Sequence, residues 1–109
     1  MKKDLFELKL KEEVVSISKE KITVKELTAG QASQYQHSLY KMVGNKPVVK
    51  VDGAEIKLVM LTCYDEEGNK YFESNDLELV KNLPSWVVEK LYNVANKINN
   101  PTKAELAKN

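Results

Sequence analysis

The spacing of apolar positions changes along the chain, and it predicts where strands give way to helices. Within residues 4–10, the apolar residues Phe6, Leu8 and Leu10 fall on every second position and would share one face of a strand. β-branched residues recur in 14–17 and again in 22–24, and polar residues at 18–21 separate the two runs. The first quarter of the chain is therefore predicted to form a small antiparallel sheet or hairpin.

Helical spacing begins at Thr28, which with Gln31 has the spacing of a capping box. Gly44 is predicted to end this helix in the left-handed conformation, and Pro47 prevents its continuation. Residues 45–50 then form a loop or a short extended link. The apolar stripe of this first helix follows at intervals of three and four residues: Ala32, Tyr35, Leu39 and Met42.

A second helix is predicted over the apolar run that follows Asp52, which can cap it together with Glu55. Val, Thr, Cys and Tyr also suit a strand, so 56–64 has a strand as its alternative. The helical spacing favours a largely buried helix, and 65–69 then forms a turn around Gly68. The stripe of this helix consists of Ile56, Val59, Met60 and Cys63.

Two more helices complete the predicted body. Ser74 or Asn75 caps the third, which carries Leu77, Val80 and Leu83. Pro84 suits the first turn of the fourth helix, and the fourth has the clearest amphipathic stripe: Val87, Val88, Leu91, Val94, Ala95 and Ile98. Asn99, Asn100 and Pro101 end it. We predict an α+β fold, with a mainly helical body of about four helices and a small N-terminal antiparallel β element. It forms one domain over 1–100, with a flexible tail at 101–109.

Charge and composition exclude several classes of function. The 109 residues carry a net charge of +1, and all 17 positive side chains are lysines. A phosphate-binding protein would concentrate positive charge, and arginine-dependent recognition is ruled out, so no nucleic-acid partner is expected. The longest uninterrupted apolar run is far too short to span a bilayer, and the first residues lack the apolar core of a signal peptide. Cys63 has no disulfide partner, so we expect a soluble intracellular protein with no membrane contact.

The polar residues predict no catalytic, metal-binding or cofactor-binding site. His37, the only histidine, is expected on the surface, and Cys63 lies on an apolar stripe where a thiol is unreactive. The carboxylates around 65–76 lack the order of a calcium loop and are better explained as a solvated acidic turn with Asp76 at a helix N-terminus. We therefore expect a protein that is not an enzyme.

Aromatic residues beside the core stripe are the better candidates for function. Trp86 precedes the stripe of the last helix and Tyr92 lies just off it. Both have a structural alternative, since they can simply cover the edge of the core. Amphipathic aromatics in such positions are also common interface anchors. The candidate partner-binding set is Trp86, Tyr92, Leu91 and Tyr40.

Two stretches resemble the tail assembly chaperones of long-tailed bacteriophages and prophages. Residues 65–100 share an acidic D-E-x-G turn, an aromatic pair, an acidic helix start and a last amphipathic helix that ends in Asn-rich I-N. Residues 22–35, ITVKELTAGQASQY, resemble the stretch before the first helix of the same proteins, with Gln31 where an acidic residue is common. In outline the resemblance covers 22–100.

This resemblance implies a binding function in the bacterial host's cytoplasm. Such chaperones bind the tape measure protein, keep it soluble, help recruit tail tube subunits and are absent from the mature virion. Self-association into a homo-oligomer would let one polypeptide coat a long partner. In many such phages a ribosomal frameshift near the end of the gene adds a second domain, and codons 107–109 are where an A-rich slippery run would lie. The alternative function is a structural tail or head–tail completion protein.

Overall fold

A three-stranded antiparallel sheet packed against helices forms the centre of the molecule. The computed structural model describes residues 4–49 and 53–100. In this part of the chain, four α-helices, the three-stranded sheet and a separate hairpin confirm the predicted α+β fold. The strands are β1 (Glu12–Ile17), β2 (Glu20–Lys25), β3 (Tyr40–Val43), β4 (Lys46–Val49) and β5 (Cys63–Tyr64). The α-helices are α1 (Ala29–Ser38), α2 (Ala54–Thr62), α3 (Leu77–Lys81) and α4 (Ser85–Asn99), and 3-10 turns lie at Asp4–Glu7 and Ser74–Asp76.

The predicted hairpin of the first quarter is present as β1 and β2. Val15 faces Ile22 across the pair, and Ser18 takes a φ of 57° at the connecting turn. The sheet gains its third strand from the middle of the chain, because β5 pairs with β2 and places Cys63 opposite Val24. Both side chains of that pair are fully buried, so the centre of the sheet joins distant parts of the sequence.

The core lies between this sheet and the helices α2, α3 and α4. One face of α4 contacts both α2 and the first hairpin, as the amphipathic stripe predicted. The stripe's other members, Val87, Val94 and Ile98, pack partly buried against that core. The buried apolar side chains are Val15, Ile22, Val24, Leu58, Val59, Cys63, Val80, Val88, Leu91 and Ala95.

The strand predicted over 4–10 is wrong. Asp4–Glu7 forms a 3-10 turn, and residues 8–10 are irregular and exposed. Pairing with the second strand reaches back only to Lys11, whose carbonyl accepts a hydrogen bond from Glu26 N–H at 2.8 Å. Beyond that point the partner leaves the sheet, because Leu27 N–H donates to Asn99 Oδ1 at 2.8 Å and α1 follows. Within the described part of the chain, no strand therefore lies opposite 4–10.

The first helix is shorter than predicted. The capping box of Thr28 and Gln31 is present, but α1 ends at Ser38. Residues predicted to be the last turn of the helix and the link after it form a second hairpin, in which Met42 pairs with Pro47. Gly44 does take the predicted positive φ, 64°, but at a hairpin turn instead of a helix end.

Residues 56–64, for which the sequence allows a helix or a strand, form the rest of a helix followed by a short strand. Residues up to Thr62 are helical and the next two form β5, so Cys63 belongs to the sheet and not to the helical stripe. Gly53, with a φ of 78°, stands at the N-cap of α2. The predicted cap at Asp52 lies outside the described residues, as does the tail at 101–109.

The third and fourth helices are present as predicted, but the residue that caps the start of the third is different. Glu73, and not Ser74 or Asn75, is the N-cap of the 3-10 turn that leads into α3, and it forms a capping box with Asp76. Val80 is buried, whereas Leu83 is in the segment that connects α3 to α4. Pro84 immediately precedes the first residue of α4, and the helix ends at Asn99.

Candidate partner-binding surface

Helix α4 presents two different faces, and the candidate residues divide between them. Leu91 is fully buried and Trp86 is 56% exposed. The two positions are about 140° apart around a helix, so the packing of one into the core directs the other to solvent. The prediction of Leu91 as a partner-binding residue is therefore corrected: its side chain belongs to the core in this structure. Trp86 remains accessible for contact.

The exposure of Tyr92 is intermediate between that of Leu91 and that of Trp86. Its side chain is half-buried and packs against the core, and it lines a shallow cleft with Ile56, Val80 and Val88. Its position is about 120° from Trp86 around the helix, so the two aromatic residues do not share a face. Tyr92 raises the pKa of Tyr35 by a smaller effect than burial does, with Glu55 contributing less again. The cleft itself lies between α2, α3 and α4.

Tyr40 lies on a separate surface, the β3–β4 hairpin. Tyr40, Met42, Val43 and Val48 are between 46% and 63% exposed. Two strands with no sheet or helix covering either face are only marginally stable in water. An apolar hairpin of this kind is better suited to contact with another surface than to stabilising its own chain.

Beside the base of this hairpin is an apolar groove of about 560 Å³. We call it the α1–α2 groove, and its apolar lining consists of Tyr35, Met60, Leu61, Phe72 and Leu77. The ring of Phe72 is supported by Tyr71 in an edge-to-face contact with centroids 5.0 Å apart. Lys57 Nζ donates to Ser38 O at 3.0 Å and joins the lining of the groove to the last residue of α1.

A third exposed apolar region precedes the sheet. Leu5, Phe6 and Leu8 are each more than two-thirds exposed. Their neighbours Asp4 and Glu7 place carboxylates in the same 3-10 turn. The sequence prediction assigned these residues to a strand and therefore did not include them among the candidates for contact.

The side chains considered for chemistry have structural roles. Burial raises the pKa of the Cys63 thiol to about 12, while a hydrogen bond with Thr62 acts weakly in the opposite direction. A thiol held in that way remains protonated and unreactive at neutral pH. His37 is exposed on α1, as predicted. Among residues 4–49 and 53–100, no group of three or more side chains is placed to hold a metal ion.

The acidic turn is closed by its own hydrogen bonds. Asp65 Oδ1 accepts the backbone N–H of Glu67 and of Asn69, both at 2.9 Å. Asp76 Oδ2 accepts the N–H of Glu73 at 2.8 Å, so this carboxylate caps the start of the next helical segment. These interactions support the interpretation of the region as a structured turn, with its remaining carboxylates in solvent.

The exposed apolar residues that the sequence pattern did not reveal are mainly on the second hairpin. Met42 was assigned to the apolar stripe of a helix, and Val43 and Val48 to no surface at all. The signal that would have found them is the pair Gly44–Asn45 between two short runs containing valine, which is typical of a two-residue hairpin turn. Leu79, 69% exposed on α3, was likewise not predicted.

A solved structure with this fold is the tail assembly chaperone of bacteriophage HK97. The similarity covers 82% of this chain and 85% of that chain with a TM-score of 0.60, at 16% sequence identity. At that identity the likeness establishes the fold, and the fold is the one that the sequence resemblance implied. Comparison with protein-family models found no match, and neither did comparison with curated proteins. No helix in the described part of the chain is both long and apolar enough to cross a membrane.

Proposed function

We propose that this chain is a tail assembly chaperone of a long-tailed bacteriophage or prophage. It binds the tape measure protein, keeps it soluble, and helps recruit tail tube subunits during tail morphogenesis. The observation that carries the proposal is the fold similarity to the HK97 tail assembly chaperone over most of both chains. In this proposal the protein acts in the cytoplasm of the bacterial host and is absent from the finished virion.

The exposed apolar side chains support a role in contact with an elongated partner. Trp86 on α4 and the tip of the β3–β4 hairpin offer large apolar side chains to solvent. A helical partner with exposed apolar stripes would be covered by such surfaces, because burying apolar area from both proteins is favourable. The partner-binding candidates retained from the sequence are therefore Trp86, Tyr92 and Tyr40.

Co-expression with the tape measure protein of the same phage tests this function. We expect the soluble fraction of the tape measure protein to rise several-fold when this chain is present. Trp86→Ser should reduce that gain, while His37→Ala, also exposed but polar, serves as the matched control. An unchanged soluble fraction with the unaltered chain would refute the proposal.

Purified virions separate this function from that of a structural tail or head–tail completion protein. A chaperone leaves the assembly, so mass spectrometry of virions should find no peptides of this chain. Stoichiometric peptides would instead support the structural role. The nucleotide sequence of codons 107–109 tests the accompanying expectation of a frameshifted longer product.

A further inference from the structure

We infer that the shallow cleft between α2, α3 and α4 binds a basic amphipathic helix of the tape measure protein. The inference rests on the proposed function and deepens it, because it names a surface and the chemistry of the segment which that surface recognises. It is supported by the apolar floor of the cleft, the carboxylates on its rim and the exposed tryptophan beside them.

The floor of the cleft is apolar and is built from all three helices. Val80 and Val88 belong to the buried core, and Ile56, Leu83 and Tyr92 pack partly buried against it. All five line the cleft, whose volume is about 460 Å³. Because the core holds these side chains in place, the cleft is a fixed feature of the fold. A partner helix with apolar residues at spacings of three and four can bury them against such a floor.

The rim of the cleft carries carboxylates. Glu55, at the start of α2, and Glu89, on α4, both line the cleft and are exposed. Lys81 also lines it, but its Nζ lies 3.7 Å from a carboxylate oxygen of Glu78, so its charge is offset within its own chain. Within residues 4–49 and 53–100, neither Glu55 nor Glu89 takes part in an ion pair. The rim therefore favours a partner that brings lysine or arginine, and it disfavours nucleic acid or an acidic helix.

Nearby lysines do not change this preference. Lys90 follows Glu89 in the chain, but its Nζ donates to Ser16 O at 3.2 Å and is held at the first hairpin. The α1–α2 groove has the opposite balance, since Lys57 and Lys70 line it against the carboxylate of Glu73. Of these two apolar surfaces, charge therefore selects the cleft as the site for a basic segment.

Trp86 lies beside the rim on the same helix. Around α4, Glu89 is about 60° from Trp86, and Asn93, which also lines the cleft, is about 20° from it. A helix that occupies the cleft can therefore contact the exposed ring of Trp86. Tryptophan is a common interface anchor, and a lysine or arginine can stack on its face. Trp86 is also the only tryptophan in the chain, so its fluorescence reports on this site.

Two synthetic helical peptides test the inference with the full chain. Both carry leucines at spacings of three and four residues; one has lysines beside the leucines, and the other has glutamates at the same positions. The lysine peptide should bind in isothermal titration calorimetry and shift the emission of Trp86 to shorter wavelength. The glutamate peptide should bind at least roughly tenfold more weakly. Equal affinities, or no binding of the lysine peptide, would overturn the inference.

Charge-reversed variants locate the binding site. Glu55→Lys combined with Glu89→Lys should weaken binding of the lysine peptide by roughly tenfold or more. The matched control combines Glu66→Lys with Glu67→Lys, which makes the same change in net charge on exposed residues that do not line the cleft. The control should bind like the unaltered chain, and equal losses in the two double variants would overturn the inference.

Two further measurements protect this comparison. Circular dichroism confirms folding, and should the cleft variant unfold, Glu89→Gln alone should still weaken binding by roughly threefold or more. Sedimentation velocity of the unaltered chain and of the cleft variant, without peptide, should give the same result. A difference would show that another copy of this chain occupies the cleft, which would overturn the inference.

The tape measure protein itself separates this inference from the proposed function. Its overlapping peptides should bind only where an apolar stripe is flanked by lysine or arginine, and co-expression scores its solubility separately. If the cleft variant raises that solubility as much as the unaltered chain does, the inference fails and the proposed function stands. If the lysine peptide binds the cleft but the unaltered chain leaves that solubility unchanged, the proposed function fails, and the assignment of the cleft to the tape measure protein fails with it.

Discussion

The two hairpins of this chain, one with six-residue strands and one with four-residue strands, serve the molecule differently. The β1–β2 hairpin packs against α4, gains β5 as a third strand and buries Val15, Ile22 and Val24. The β3–β4 hairpin pairs with no further strand among the described residues, and its side chains Tyr40, Met42, Val43 and Val48 face solvent. The comparison shows that an apolar residue in a strand stabilises this fold only where another layer covers it.

The largest expected effect is loss of stability in the first hairpin. Ile22→Ala should lower the free energy of unfolding by roughly 2–5 kcal/mol, because the side chain is buried between the sheet and the helices and its removal leaves a cavity. Urea denaturation followed by circular dichroism measures the change. A loss below about 1 kcal/mol would contradict the assignment of this hairpin to the core.

Cys63, buried on the edge strand β5 opposite Val24, gives the stability of the fold a dependence on high pH. Its pKa is raised from 9.0 to about 12 in the folded chain, so the folded state keeps a proton that the unfolded state releases. Stability should therefore fall as pH rises from 9.0 to about 12, by at most roughly 1.4 kcal/mol per pH unit.

Cys63→Ala provides the comparison for this pH dependence. Burial also raises the pKa of Tyr35 and Tyr71, and these tyrosines steepen the decline in both proteins. The thiol's part is the difference between the two stability curves. Parallel curves for the variant and the unaltered chain would show that Cys63 is not protected in the way the structure indicates.

An intermediate effect is expected where the first hairpin is tied to the end of α4. Asn99 accepts a hydrogen bond from Leu27 N–H at 2.8 Å and donates to Ala95 O at 2.9 Å. Asn99→Ala should lower the free energy of unfolding by roughly 1–3 kcal/mol, since it leaves a partly buried backbone N–H unpaired. Thermal unfolding checks the loss, with the exposed Asn93→Ala as the control on the same helix.

The smallest effect on stability is expected in the second hairpin. Met42→Ala should change the free energy of unfolding by no more than about 0.5 kcal/mol, because the side chain is already in solvent. The same denaturation experiment as for Ile22→Ala measures it. A loss comparable to that of Ile22→Ala would show that the hairpin is covered by its own chain.

The parts of the fold that depend on neighbouring residues were predictable from the sequence. The turn at Ser18, the capping box of Thr28 and the stripe of α4 each follow from residues within a few positions of one another. The pairing of Val24 with Cys63 was not predictable in this way, since it joins residues 39 positions apart through a strand of only two residues. A local pattern does not encode such a contact.

The second hairpin and the exposure of the α4 side chains were not predictable for a different physical reason. Met42 follows Leu39 at a helical spacing of three residues. The predicted first helix therefore continues past Ser38, where the actual helix ends. Gly44 is needed in the left-handed conformation in either structure, so it does not distinguish a helix end from a hairpin turn. Trp86 and Leu91 are both candidates in the sequence, and only packing distinguishes the exposed side chain of the first from the buried side chain of the second.

The binding role itself is tested most directly with purified proteins. A fragment of the tape measure protein is diluted from denaturant with increasing amounts of this chain, and its aggregation is followed by light scattering. We expect scattering to fall and then level off once enough chain is present to cover the fragment, with Trp86→Ser less effective than His37→Ala. Scattering that is unchanged at every ratio would contradict the proposal that this fold acts as a tail assembly chaperone.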